Sequence, residues 1–437
     1  MLLQFKTTNY KSFRDELVFS MIPAQKQKGL DYSILEKKIG KKTHRGLSSA
    51  VIYGANASGK TNIIGAMDSF KRIVHRGNIR NGENHANHNT AAGALELIPN
   101  NTADEIEPVS FSIQFIAEDL LIEYSFAMLV GHFLEIDYPR KVQSECLRIN
   151  DVEIFSRDDE LRFDGLGSIK KYLVNAFSEN SEGLVSIAKS NLNDEELFLM
   201  NGFKTMFSSK LVSVIDEWLT KKLIIIYRAD ALNVTAKTGD SVVVDRTLNE
   251  AVKLFGINSN DMGFVSDGDG SDAKLHSLFR DSGKAIRAEI FESYGTIRFA
   301  TVFPMIAGAL LTGSTLVVDE FDASIHPMAL MNIVNIFHND DININRAQLI
   351  FNTHNPVFLN ANLFRRDEIK FVERDDVTHT STHYSLSDFG TTGEKGARKG
   401  EDYMKKYFVD RYGAIRDVDF SDVIEELMNS AEAEVQV

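Results

Sequence analysis

The sequence predicts an α/β fold. A mixed, mainly parallel sheet with helices holds a nucleotide at one edge, and it carries an antiparallel β-lobe and a helical insertion. Three observations predict it. The apolar run Ala50-Val51-Ile52-Tyr53 leads straight into Gly54-Ala55-Asn56-Ala57-Ser58-Gly59-Lys60-Thr61. A second run, Ser314-Thr315-Leu316-Val317-Val318, ends in Asp319-Glu320. A third, Gln348-Leu349-Ile350-Phe351, ends in Asn352-Thr353-His354-Asn355. Short continuous apolar runs of this kind suit strands buried on both faces.

The first run opens a phosphate-binding loop, because GxxxxGK[ST] stands between a strand and a helix start. Its glycines let backbone N–H groups turn toward phosphate oxygens. Gly54, Asn56, Ser58 and Gly59 form the cradle, Lys60 reaches the β and γ phosphates, and Thr61 sits on Mg²⁺. The helix that follows adds the positive end of its dipole. The second run has the Walker B pattern. Asp319 would hold Mg²⁺ directly or through water, and Glu320 would polarise the attacking water. Neighbouring strand residues point to opposite faces, so two adjacent acids cooperate only at a strand end, where both stand.

The P-loop and Walker B strands must lie in one sheet to reach the same nucleotide. The chain between them is far longer than one crossover needs, so it carries insertions. Residues 1–76 form the first part of the nucleotide-binding head. Residues 77–165 hold a polar, Asn/Gly-rich loop and a meander, with alternation in Val109 to Met128 and again from Lys141. Residues 166–222 read as a helical insertion with breaks near Ser181 and Asn191, its Phe, Leu and Met stripe packing into the core. Residues 223–437 complete the head. They start with a strand at Leu223 to Tyr227 and a helix at Leu248 to Phe255. The strand Ile369 to Glu373 follows, and an amphipathic helix carrying Phe420, Val423, Ile424, Leu427 and Met428 is expected to dock on its own domain or, as the sharper alternative, on a partner.

Further segments resemble known ones. Glu292-Ser293-Tyr294-Gly295-Thr296 is similar to a degenerate ABC signature, which implies that Ser293 and Gly295 bind the γ-phosphate held by a partner subunit. Ala323-Ser324-Ile325-His326-Pro327 stands at the place of the D-loop, and His354 at that of the switch histidine. The opening, with Asn9-Tyr10-Lys11-Ser12 and then Asn62 after Lys60-Thr61, resembles the RecF/OLD branch of ABC-type ATPases. That likeness implies a nucleotide contact for Lys11. Taken with the tail segments Arg365-Arg366-Asp367 and Arg411-Tyr412-Gly413-Ala414-Ile415, the chain resembles the bacterial AAA15-type ATPases of abortive-infection systems, the AbiLi/RloA kind. The resemblance implies ATP and Mg²⁺ as ligands and a homodimer or higher homo-oligomer. It also implies a sensing role in anti-phage defence, with control of a separately encoded toxic effector, a nuclease above all. The competing expectation is a RecF-like repair ATPase that binds DNA directly.

Composition bounds these readings. The chain has 437 residues, 43% hydrophobic and 25% charged, with one cysteine, Cys146, and so no internal disulfide. The start has no signal-like apolar region and no run is long enough to span a bilayer, the nearest being Phe299 to Leu311 with Pro304 inside. The expectation is a cytoplasmic protein with no membrane contact. A net charge of −14 argues against broad nonspecific nucleic-acid binding. Local DNA contact stays open at the lysine-rich stretch Lys26 to Arg45, read first as a solvated hairpin or loop. Lys395 to Lys406 is a second, diluted basic cluster. The Asp267 to Asp272 run lacks the Gly and Glu positions of a calcium loop. His85 and His88 read as loop histidines. Too few residues follow His354 for an appended nuclease domain, which needs on the order of a hundred. No heptad repeat supports a long coiled coil.

Overall fold

The computed structural model describes the chain except residues 26, 28, 81–96, 134, 136, 176–180, 228–245, 255–259, 266–273, 280, 392–395, 399, 417 and 436–437. His85, His88, the Asp267 to Asp272 run, Lys26, Lys28, Lys395 and Lys399 lie outside the described residues.

The strands are β1 (Leu2–Thr8), β2 (Leu17–Ser20), β3 (Ile34–Ile39), β4 (Lys42–Leu47), β5 (Ser49–Tyr53), β6 (Val109–Ala117), β7 (Leu120–Leu129), β8 (Lys141–Ile149), β9 (Val152–Arg157), β10 (Leu161–Arg162), β11 (Leu223–Ile226), β12 (Asp261–Val265), β13 (Lys274–Phe279), β14 (Lys284–Arg287), β15 (Thr315–Val318), β16 (Gln348–Asn352), β17 (Ile369–Arg374) and β18 (Ser381–Ser385). The longer helices are α1 (Lys60–Arg76), α2 (Ser181–Ser190), α3 (Ser209–Glu217), α4 (Arg246–Leu254), α5 (Tyr294–Thr312), α6 (Pro327–Phe337), α7 (Tyr403–Phe408) and α8 (Ser421–Val435).

Among the described residues the central sheet has the order β11-β15-β16-β5-β17-β18. Its first five strands are parallel, and β18 adds antiparallel at the edge. Alternate residues feed two cores, as the strand period of two requires. Ala50, Ile52, Val317 and Ile350 pack on the side of α1, with Ile63, Phe70 and Ile73. Val51, Tyr53, Leu316, Val318 and Phe351 pack on the side of α5 and α6, with Ala300, Ile306, Leu330 and Val334. Burial on both faces explains why these strands read as unbroken apolar runs.

The β-lobe is an antiparallel sheet in the order β10-β9-β8-β7-β6-β1-β2. It takes its last two strands from the N-terminus, which pairs β1 with β6. Helix α1 fills the space between lobe and central sheet, and Phe70 stacks on Phe126 of β7 at 5.4 Å. The helical insertion packs its stripe inward: Phe198, Phe203, Phe207, Leu211 and Trp218 all join the same core as α1. A buried carboxylate, Glu145 of β8, fastens it. It accepts from the N–H groups of Phe198 and Leu199 at 2.7 and 2.8 Å, and from the Tyr124 hydroxyl at 2.8 Å. Arg157 stands 3.8 Å away, and burial still pushes the Glu145 carboxyl above its ordinary range. The lysine-rich stretch forms the hairpin β3–β4. Its Lys42 pairs with Asp151 at 2.6 Å and Arg45 with Glu36 at 2.8 Å.

Four readings need correction or completion. The helix α5 spans Tyr294–Thr312, so among the described residues one helix is long and apolar enough to cross a membrane by length and composition. The helix begins before the apolar run Phe299 to Leu311, because Ser293 caps it, accepting from the Thr296 N–H at 3.2 Å. Its Arg298 is buried and bonded to the Walker B turn, which makes α5 a helix of the head. Second, the C-terminal part holds β18 besides β17, joined by the Asp375-Asp376 turn. Third, the face of α8 is not docked: Phe420, Val423, Ile424 and Met428 are all more than half exposed. Fourth, the tail motif has a structural use. Arg365 forms a bidentate pair with Asp367 at 2.9 and 3.0 Å and donates to the Gly29 carbonyl at 2.8 Å. Arg366 donates to the carbonyls of Gly390 and Ala397.

One side chain links the head to the N-terminal strand of the lobe. Gln348, fully buried at the start of β16, accepts from the Leu2 N–H at 2.6 Å and the Thr315 hydroxyl at 2.9 Å. Its amide donates to the carbonyls of Leu2 at 3.0 Å and Leu47 at 2.8 Å. Gln348→Ala strands these buried backbone groups and is expected to cost about 2–5 kcal/mol of stability, read from the midpoint of urea unfolding. A midpoint unchanged from the parent protein would show that water substitutes for the amide.

Candidate nucleotide site

The ends of β5, β15 and β16 meet at one edge of the sheet because the three strands run parallel and in register, Val318 opposite Phe351 and Phe351 opposite Val51. From β5 the chain enters the loop 54–59 and then α1. Gly59 has φ 111°, and a Cβ there would meet the hydroxyls of Ser12 and Ser381 at 2.7 and 2.8 Å, so glycine is required on both grounds. These two serines wall the loop. Ser381 donates to the Ser58 carbonyl at 2.6 Å, and Asn62 donates to the Ser12 hydroxyl at 2.8 Å. Asn62 thus braces the opening segment against α1.

Lys60 is buried, and its ammonium donates to the carbonyls of Gly54 and Ala55, each at 2.9 Å. Loss of hydration lowers its pKa to about 8, against the pull of Asp319, Glu320 and Asp322. Thr61 donates to Asp319 Oδ1 at 3.0 Å. Hydroxyl and carboxylate together form the hard-oxygen pair that suits Mg²⁺. The Ser58 hydroxyl is buried with no partner among the described residues. A donor left over inside a Gly-rich cradle also fits a phosphate ligand.

The Walker B acids follow β15 in a tight turn. Glu320 has φ 50°, a left-handed conformation costly for a residue with a Cβ. Two side chains hold it there. Asn352, at the end of β16, donates to Asp319 Oδ1 at 2.5 Å and accepts from the Glu320 N–H. Arg298 of α5, 2% exposed, donates to the carbonyls of Asp319 at 3.1 Å and Glu320 at 2.7 Å. Its remaining Nε and Nη1 groups are buried without partners among the described residues. His354 lies next along the same edge. Loss of hydration and the Lys60 ammonium lower its pKa, against the pull of Asp322, Glu320 and Asp319. The Tyr53 hydroxyl ties this turn to the P-loop strand through the Asn355 carbonyl at 3.0 Å.

The structure therefore gathers Lys60, Thr61, Asp319, Glu320 and His354 around one strand edge. Ser293 and Gly295 touch other partners. Ser293 is exposed and caps α5, and a Cβ on Gly295 would collide with the Ser324 carbonyl of the D-loop segment. Lys11 donates to the Tyr227 hydroxyl at 3.2 Å and lies over the rings of Tyr10 and Tyr227. Arg298, Asn352, Ser12 and Ser381 escaped the sequence reading. Arg298 did carry a signal, since a lone arginine in an apolar helix must find partners when buried.

A family profile described as "AAA domain, putative AbiEii toxin, Type IV TA system" matches residues 49–360. The chain belongs to that AAA-domain family. The matched span runs from the P-loop strand through Walker B to the turn after His354. Fold and family together make the chain a P-loop ATPase of the AAA-domain kind, and such ATPases use ATP with Mg²⁺. No curated protein matches it. One solved structure, described as "Crystal structure of the SmcHead bound to the C-winged helix domain of ScpA", aligns at a TM-score of 0.40 and 14% identity, over 89% of this chain and 98% of that chain.

Arg298 touches no position a nucleotide would occupy in the contacts above, so it is a positioning residue. Arg298→Met is expected to leave the ATP dissociation constant within about threefold while lowering kcat at least about tenfold, because only the Glu320 turn loosens. Equal losses in nucleotide affinity and kcat would mean a general structural defect instead.

Proposed function

We propose that two copies of the chain close around two ATP molecules. In this reading the ATP-gated dimer is the sensor and regulator of an abortive-infection system and controls a separately encoded effector, a nuclease above all. The observation that carries the ATPase half is the clamped Glu320 turn beside the Thr61–Asp319 pair. Lys60 exchanges the carbonyls of Gly54 and Ala55 for phosphate oxygens, and the added negative charge restores its full protonation. Thr61 and Asp319 would hold Mg²⁺, which when bound offsets the charge of the β and γ phosphates. Glu320 orients the attacking water and takes its proton. His354 donates a ring N–H to the γ-phosphate.

Exposure of Ser293 at the positive end of α5 supports the paired arrangement, since an exposed helix N-terminus suits a phosphate brought by a second copy. The family description, which names a type IV TA system, supports the defence half. Direct DNA binding is the weaker reading. The net charge is −14, and Lys42 and Arg45 of the basic hairpin are already paired with Asp151 and Glu36.

Glu320→Gln is expected to lower turnover by about a hundredfold or more and to shift the protein to an ATP-dependent dimer in sedimentation velocity. Lys60→Ala is expected to remain unshifted by ATP. Undiminished turnover by Glu320→Gln would remove this residue from the mechanism. A Glu320→Gln protein that stays monomeric in saturating Mg-ATP would remove the paired site.

A further inference from the structure

The P-loop, Asp319 and His354 occupy the C-terminal edge of the central sheet. Its N-terminal edge, about 13 Å away along four-residue strands, bears a separate cavity of about 640 Å³. The residues that immediately precede three parallel strands line it: Lys221 and Lys222 before β11, Gly313 before β15, and Arg346 before β16. Lys37 from β3 and Lys210 from α3 bring the cations in the lining to five, against two acids, Glu118 and Glu217. In a chain of net charge −14 this is a local reversal of sign.

The opposite wall is apolar and fixed. Ile116, Val214 and Trp218 line it, and the indole is locked by stacking on Phe115 at 3.9 Å. Lys222 donates to the Thr312 carbonyl and Lys210 lies 5.3 Å over the Tyr172 ring, and the other cations are lightly engaged. Lys221 lies 3.7 Å from Glu217 and Lys37 lies 3.2 Å from Asp119, both pairs at the surface, where such contacts hold little energy. Arg346 is exposed, and its guanidinium has no partner among the described residues. Flexible cations facing a rigid apolar wall suit a ligand with a phosphate end and a flat ring. The concave shape, with the neighbouring hairpin cations Lys42 and Arg45 paired elsewhere, favours a small ligand over an extended nucleic-acid backbone.

We propose that this cavity binds a second, nucleotide-sized organic phosphate, its phosphates among Lys37, Lys210, Lys222 and Arg346 and its ring on the Trp218 wall. The ligand is separate from the ATP at the P-loop. Its site includes the beginnings of β11, β15 and β16, and the far ends of the last two carry Asp319 and Asn352, so both sites rest on the same strands.

Equilibrium dialysis of the full chain with ATP, and separately with the linear dinucleotide pApA, tests this in four proteins. These are the parent, Lys60→Ala, Lys210→Glu with Arg346→Glu, and all three changes together. Lys210 and Arg346 are exposed, so the charge reversals should leave the fold intact, which circular dichroism checks. The expected stoichiometries are two nucleotides per parent chain, one for each partial variant and none for the triple. Charge reversal should weaken the second site at least about tenfold, and raised salt should weaken it further. If Lys60→Ala takes up neither probe below about 1 mM, the proposal fails. A duplex of about 20 base pairs is the third probe, and the proposal fails equally if Lys60→Ala binds only that duplex, which would make this a nucleic-acid face. Equal uptake by the parent and Lys60→Ala, lost on charge reversal, would support this cavity and refute the P-loop reading, so the two failures are distinguishable.

Discussion

Parallel, in-register pairing of β5, β15 and β16 is the constraint from which the rest of the site follows. It brings three chain ends, far apart in sequence, to one sheet edge: the start of the P-loop, the Asp319-Glu320 turn and the His354 turn. Parallel strands need long crossovers, and the crossovers here are where the lobe and helical insertion enter. Both faces of these strands must be covered, which sets α1 on one side and α5 with α6 on the other. The helix that supplies Lys60 and Thr61 is therefore also the one packed against the β-lobe. The helix that begins at Ser293 is also the one that reaches Walker B.

In the proposed ATP-bound pair, that second helix would link the partner's phosphate to Glu320. Ser293 caps α5 at its exposed end, Gly295 packs against the D-loop carbonyl of Ser324, and Arg298, one turn further on, holds both Walker B carbonyls. Glu320 sits in a conformation it would not choose alone, so its position depends on Arg298 and Asn352 together. A buried arginine with two N–H groups left over is an expensive element to keep for packing alone, which favours a positioning role.

Much of this was legible in the sequence. Strand, Gly-rich turn and helix start follow one another within residues 50–62, and the Asp319-Glu320 pair follows its own apolar run, so local order alone located them. The meander of the lobe showed in the alternation of Val109 to Met128, and the helical insertion in its breaks. What was not legible depends on contacts between distant segments. Nothing local marks Asn352 as the brace of Asp319, or Ser12 and Ser381 as walls of the P-loop. That β1 and β2 complete the lobe follows from the pairing of Leu2–Thr8 with Val109–Ala117, which no periodicity reveals. Arg298 interrupts the apolar run within α5, so the run alone does not mark the start of the helix, which the cap at Ser293 sets. The docking expected of α8 failed for the opposite reason: an apolar stripe says that a face needs cover, not that its own domain supplies it.

The central claim is that one strand edge holds the Mg²⁺-nucleotide. A crystal structure with Mg²⁺ and a non-hydrolysable ATP analogue tests it most directly. The expected result is phosphate density under residues 54–61, a metal ion on Thr61 with Asp319 beside it, and Lys60 moved from the Gly54 and Ala55 carbonyls to phosphate oxygens. Saturating nucleotide that leaves Lys60 on those carbonyls and lies elsewhere on the molecule would contradict it.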